Sequence, residues 1–364
     1  MRKFSVAILL ILILLVLTAC SSGVQTGSSS QQSSTAQNTE QAQNNNQTSQ
    51  NSSQSNQSSG QSKELNIAWI HSNAAAKSEQ RAKAGFEKFL QEKGWKWNIS
   101  YSDSKGSGAN VASFLENAVQ RKPDAIILSM ADLRASQASI DEASKAGIPI
   151  ITIDSGWTPG VIVDITSNNY LMSAKVSAYM IDRLGGHGNV ILFKMAEHHG
   201  VRKRGEVLDV MIKENPGIKV LADHNIDYTN FYEDTLKTME DYVTRFGDKI
   251  DAVWAGWDEP AMAAASVLQQ HGLDKKVFVV GIDGHPDAVD EIAKGGAFSA
   301  TVAQAFELMG QRAAEYINSI VVEKKPASEV VPSTTVYLQS PLITNKNIPA
   351  QGLLPWQGKD FYEQ

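Results

Sequence analysis

The chain has 364 residues, enough for two or three ordinary domains, and a formal net charge of −6. That mild acidity argues against nucleic acid as a partner, because a phosphate backbone calls for a strongly basic face. The averages conceal three unlike parts: an apolar leader, a polar low-complexity tract, and a mixed remainder from Lys63 with 31 basic and 38 acidic residues.

Arg2 and Lys3 form a positive start, and Phe4 to Leu17 is an apolar run without charge, shorter than the roughly 20 residues that span a bilayer. The run closes with Leu17-Thr18-Ala19-Cys20, small residues leading into the only cysteine of the sequence. This segment resembles the lipobox of bacterial lipoproteins. The resemblance implies a signal peptide over 1–20, lipidation of Cys20, and an extracytoplasmic protein anchored to the cell membrane. No cysteine remains to form a disulfide, and a protein of this size builds its core without one. Residues 21–62 hold 31 Ser, Gln or Asn among 42, too little apolar surface to offset the ordering of a backbone. As a flexible tether, this tract would place its ends about 35 Å apart. A prion-like aggregation segment is the other compositional reading, and the lack of aromatics speaks for the tether.

From Leu65 onward, short apolar runs alternate with helical periodicity. Strands are predicted at Asn66–Ile70, Asn98–Tyr101, Ala125–Ser129 and Ile150–Asp154, with helices at Glu79–Lys93, Asn110–Arg121 and Leu133–Ala146 between them. A second series has strands at Val190–Lys194, Lys219–Ala222, Ala252–Ala255, Val277–Ile282 and Ser299–Val302. Its helices are predicted at His199–Glu214, Phe231–Arg245, Glu259–His271, Pro286–Lys294 and Ala305–Val321. Near-continuous β-branched strands suit parallel sheets covered on both faces. Two such series predict an α/β fold of two doubly wound lobes, with ligand chemistry beyond the carboxyl ends of the strands.

Enzyme signatures are missing. The sequence has no G-x-S-x-G elbow, no H-E-x-x-H and no Walker-A run, and Gly106-Ser107-Gly108 lacks the third glycine of a dinucleotide fingerprint. The adjacent His198 and His199 cannot both chelate one ion from the same helix face. No enzyme activity, metal or cofactor is expected. Polar and aromatic residues gather instead just after predicted strands: Asp154, Arg202, Asp258, Asp283 and Gln304, with Trp157, Tyr228 and Trp257 nearby. Each has a plain structural explanation: Asp258 before Glu259-Pro260 makes a good helix cap, and Asp283-Gly284 a turn. Together they suit a sugar or polyol, since carboxylates accept from paired hydroxyls, Arg offers a planar fork, and aromatic rings cover C–H faces.

The stretch from Leu65 to about Thr335 resembles type I periplasmic sugar-binding proteins of bacterial ABC transporters, especially the ribose-binding branch. The segments that carry the resemblance are Ala146-Gly147-Ile148-Pro149-Ile150-Ile151-Thr152-Ile153-Asp154, Arg202-Lys203-Arg204-Gly205, and Ala255-Gly256-Trp257-Asp258-Glu259. Val280-Gly281-Ile282-Asp283-Gly284 and Thr301-Val302-Ala303-Gln304 complete them. The resemblance implies ligand contacts from Asp154, Arg202, Asp283 and Gln304, and three crossings between lobes near Thr166–Asn168, Val302–Gln304 and Val331–Thr334. The first lobe is then 64–167 with 304–331, the second 168–303 with 332–364, and the tether 21–63. Two departures stand out. Trp257 occupies the place of an asparagine, and Asn73-Ala74-Ala75-Ala76 stands where paired phenylalanines are usual. The expected site is therefore Asp154, Arg202, Asp283, Gln304, Trp257, Trp157, Tyr228 and Asn73, with Trp157 replacing the lost stacking wall. The resemblance implies a monomer that captures a sugar or polyol and delivers it to an ABC permease. The alternative is a sensory protein presenting its ligand to a membrane receptor.

Overall fold

Residues 64–349 and the strand 362–363 are described by the computed structural model. The expected signal peptide, Cys20 and the tether lie outside the described residues. In the first lobe, β1 (Asn66–His71), α1 (Lys77–Lys93), β2 (Asn98–Asp103), α2 (Gly108–Gln120), β3 (Ala125–Ser129), α3 (Gln137–Lys145) and β4 (Ile150–Ile153) follow in sequence order. Then come β5 (Val163–Ser167), α4 (Asn169–Arg183), β6 (Gly188–Lys194), α5 (His199–Glu214), β7 (Ile218–Asn225), α6 (Phe231–Phe246), β8 (Ala252–Ala255) and α7 (Asp258–Gln270). The remaining elements are β9 (Phe278–Asp283), α8 (Pro286–Lys294), β10 (Phe298–Ala303), α9 (Phe306–Ile317), α10 (Ala327–Val330), β11 (Thr335–Leu338), β12 (Leu342–Thr344) and β13 (Tyr362–Glu363).

The strands make two sheets, in the orders β13-β11-β5-β4-β3-β1-β2 and β12-β10-β9-β8-β6-β7. Among the described residues, every pairing is parallel except those of β12 with β10 and β13 with β11, at the two edges. Alternate residues of each strand enter opposite layers. Trp69, Ile127 and Ile151 join α1 and α9 on one face of the first sheet, and Ile70, Ile126 and Ile150 join α2 and α3 on the other. In the second sheet Phe193 and Val253 meet α6 and α7, whereas Leu192 and Trp254 meet α4 and α5. This two-sided covering accounts for the near-continuous apolar strands.

Two elements between the predicted series, β5 and α4, carried no clear sequence signal. The polar Asp164, Thr166 and Ser167 of β5 are buried in the hinge, so the strand lacks an apolar run. One crossing needs correction. Residues 335–338 were expected in the second lobe, but as β11 they pair in parallel with β5 of the first sheet. The backbone passes over only after Leu338, so that β12 borders β10 and β13 returns to β11. Thr335 to Leu338 alternates partly exposed with buried residues, which suits a strand near a sheet edge.

Candidate functional site

The carboxyl ends of β3, β4, β6, β8 and β9 converge on one cavity lined by Ala76, Ser78, Met130 and Phe306 from the first lobe, and by Met195, Val201, Trp257 and Tyr228 from the second. Asp154, His198, Arg204 and Asp283 supply its polar lining. The space enclosed between these atoms is about 30 Å³, room for about two waters.

Several residues leave ordinary backbone geometry where strands end. Met130 and Asp154 adopt φ of 48° and 46°, and Asp283 has φ 136°. Non-glycine residues adopt such conformations uncommonly, and these three stand side by side on the cavity wall. Gly284 completes the turn after β9 with φ 61°; a Cβ there would lie 2.4 Å from that of Ala303, so only glycine fits.

Arg204 is the centre of the polar network and only 2% exposed. Its Nε donates to Asn169 Oδ1 at 2.7 Å and its Nη1 to the Gly256 carbonyl at 2.8 Å. The guanidinium stands 3.7 Å from Asp154 Oδ2 and 3.6 Å from Asp283 Oδ1, linking one carboxylate from each lobe. Thr166 Oγ1 and Asn169 Nδ2 both donate to Asp154 Oδ1, at 2.6 and 3.1 Å. Burial works against ionisation of Asp154, but the charges of His198, when protonated, and Arg204 outweigh it and hold the carboxyl below its ordinary range.

The second lobe holds the opposite balance. Burial, reinforced by neighbouring carboxylates, pushes Asp283 up to about 6, Asp258 to about 7 and Glu259 to about 8. Asp258 accepts from Thr301 Oγ1 at 2.7 Å and from the His285 N–H at 2.8 Å, so it organises the strand ends rather than facing the cavity. Burial drives His198 down to about 4. Its Nδ1 accepts from the backbone N–H groups of Gly200 and Val201 at 3.1 and 3.2 Å. That leaves the proton of the neutral ring on Nε2, a donor on the cavity wall.

The lobes touch across the cleft. Asn73 Nδ2 donates to the Tyr228 carbonyl at 2.9 Å, the Lys77 N–H donates to Glu259 Oε1 at 3.0 Å, and Arg81 donates to the Asp283 carbonyl at 3.0 Å. The Lys77 contact caps α1 from the opposite lobe, since Ala76 offers no side-chain cap of its own. Ala76 itself packs into the core of the second lobe. This arrangement is a closed one.

Of the eight expected residues, Asp154, Asp283, Trp257 and Tyr228 line the cavity. Gln304 stands behind it, fully buried, its Nε2 donating to Asp283 Oδ1 at 2.8 Å. Three expectations require correction. Arg202 points to the surface, where Nη1 donates to the Ala196 carbonyl and Nε lies 4.0 Å from Glu206. The arginine in the cavity is Arg204. Two residues along a helix turn a side chain through about 200°, and Val201, Arg204, Gly205 and Leu208 form the buried stripe of α5. That spacing was readable in the sequence. Trp157, 44% exposed, donates from Nε1 to the Val161 carbonyl and lines a different cavity. The first-lobe apolar wall is made instead by Met130 and Phe306, which no local motif singled out. Asn73 bonds the opposite lobe's backbone and does not line the cavity. Among the described residues, no cluster of three metal-ligating side chains occurs.

The family described as periplasmic binding protein domain matches residues 66–325. The ribose import binding protein of Bacillus subtilis is 29% identical over 250 residues, 67% of this chain and 77% of that protein. The xylitol-binding protein of Mycolicibacterium smegmatis is 27% identical over 201 residues, 55% of this chain and 56% of that protein. Among solved structures, an ABC transporter solute binding protein from Agrobacterium vitis with bound allitol superposes with a TM-score of 0.70 at 22% identity, over 79% of this chain and 97% of its own. One from Bacillus halodurans with bound myo-inositol gives 0.68 at 22% identity, over 79% and 97%. At such identities the likeness speaks to the fold.

Proposed function

Because this chain belongs to the periplasmic binding protein domain family, and within it to the type I sugar-binding proteins of ABC transporters, we propose that it captures one neutral sugar or polyol between its lobes and hands it to a membrane permease. The observation that carries this reading is the pairing of Asp154 from the first lobe with Asp283 from the second, on either side of Arg204 and beside the indole of Trp257. Two carboxylates accept from vicinal hydroxyls, His198 Nε2 donates, and Trp257 offers an apolar face to the C–H groups of a cyclic or linear ligand. Arg204 already lies between two carboxylates and is the one Lys or Arg among the described residues that line the cavity, which speaks against a sugar acid. Relatives named for ribose and xylitol, and folds solved with allitol and myo-inositol, span linear and cyclic polyols alike. Trp257 in place of the family's asparagine argues for a ligand other than ribose.

Closure follows from the same geometry, since only the closed arrangement brings both carboxylates to one molecule. In this reading Cys20 carries a lipid anchor, residues 21–63 give the lobes reach, and the protein works as a monomer beside its permease. The test is a thermal-shift screen against pentoses, hexoses, polyols and sugar acids. A ligand at about 100 times its dissociation constant adds about 2.7 kcal/mol of stability. A response confined to neutral hydroxylated compounds supports the proposal, and one confined to sugar acids refutes it. For the anchor, replacing Cys20 with alanine should move the protein from the membrane fraction to the soluble one.

A further inference from the structure

A second cavity, partly open to solvent and about 40 Å³ in volume, room for about three waters or a molecule of that size, lies at the first crossing between the lobes. Residues of both lobes line it: Trp157 and Ser167 from the first, Tyr170, His199 and Lys203 from the second. Thr166 and Asn169 form the wall it shares with the central site, for both line it and both donate to Asp154. Trp157 is therefore not idle. Trp157 and Tyr170 are 44% and 49% exposed, two large aromatic residues left partly uncovered beside one opening.

The polar groups inside are unevenly satisfied. Ser167 is fully buried, yet its Oγ has no hydrogen-bond partner, and the buried Nε2 of His199 has none either. Asp164, by contrast, already accepts from Thr152 Oγ1 at 2.8 Å and from the Ser155 N–H at 3.1 Å. A folded protein rarely leaves a buried hydroxyl and a buried imidazole nitrogen unmatched in one place, and such groups mark where a further molecule completes the bonding. Lys203, whose ammonium lies 5.3 Å from the Tyr170 ring centroid, and the carboxyl of Asp164 bring opposite charges, so neither an anion nor a cation is selected.

We propose that this cavity is a second binding site, for a small neutral polyol whose hydroxyls pair with Ser167 and His199 and whose C–H face lies on Trp157 and Tyr170. The site is separate from the one between Asp154 and Asp283 and stands whether or not that site takes a sugar.

Each cavity has its own indole, which makes the two separable. The whole protein labelled with 5-fluorotryptophan would be titrated with glycerol, erythritol and xylitol, following the fluorine resonances of Trp157 and Trp257, assigned from Trp157→Phe and Trp257→Phe. The expected result is a saturable shift of Trp157 that persists in Asp283→Ala and weakens about tenfold in Ser167→Val, as loss of a buried hydrogen bond requires. Tyr170→Ala, at a half-exposed position that tolerates truncation, should weaken it too while Trp257 still titrates. A Trp157 shift with Trp257 silent would still support the second site and tell against the central one. The proposal is overturned if Trp157 responds to none of the three probes, or moves only together with Trp257 and loses its response in Asp283→Ala.

Discussion

Arg202 and Arg204 differ by two positions and by everything in their surroundings. Arg204→Ala strands Asp154 and Asp283 without their common cation, and removing one partner of a buried ion network costs about 3–5 kcal/mol. Arg202→Ala, at a partly exposed position, should change stability by less than about 0.5 kcal/mol. Chemical denaturation of the two variants side by side checks the assignment. The buried carboxyls set a second expectation. Unfolded, Asp258 and Glu259 ionise in the ordinary range near 4; folded, they hold their protons to about 7 and about 8. The folded state then binds more protons than the unfolded one throughout that interval, so stability falls as pH rises toward 8. His198 and His199, held by burial at about 4 and about 3, act oppositely: their contribution is whole above about pH 6.5 and is lost below it. Between about pH 4.5 and 6.5 the histidines largely offset Asp258, Glu259 and Asp283, so melting temperature should decline only gently there, and it should drop by several degrees between about pH 6.5 and about pH 8.5, where only the carboxyls still titrate. Glu259→Gln should flatten that alkaline decline. An unchanged slope would mean that Glu259 is not its source.

At the scale of elements, α1 and α9 pack with their backbones nearly touching. A Cβ on Gly85 would fall 2.0 Å from the Glu307 carbonyl oxygen, and one on Gly310 would fall 2.0 Å from that of Ala82. Such positions cannot give way without separating the helices. Gly310→Ala should cost at least the 1–3 kcal/mol typical of overpacking, read as a lower urea midpoint at unchanged slope. The helices and strands flanking this contact were largely legible in the sequence; α5 and α8 have the predicted limits, and β3 and β8 likewise. Legibility failed where an element's surroundings are polar. β5 and β11 meet at the hinge with buried Asp164, Thr166 and Ser167, and their pairing depends on a segment about 170 residues away. No local apolar period could announce it.

For the whole molecule, closure is what turns separate strand ends into a site. Asn73 reaches the Tyr228 carbonyl only when the lobes meet. Asn73→Ala should therefore weaken ligand binding by about 1 kcal/mol, roughly fivefold, while leaving the unfolding of an open, ligand-free protein nearly unchanged. Calorimetric titration alongside ligand-free thermal unfolding separates the two effects; equal losses in both would assign Asn73 to stability alone. The amino-acid order by itself determined the two βα series, the apolar layers around each sheet, and the family to which the protein belongs. These follow from short-range periodicity and from residues that act within one element. Which apolar side chains replace the missing aromatic wall, and on which cavity Trp157 stands, were decided only by the tertiary structure. Each of those depends on the approach of segments from two lobes. Local sequence carries no record of such distances.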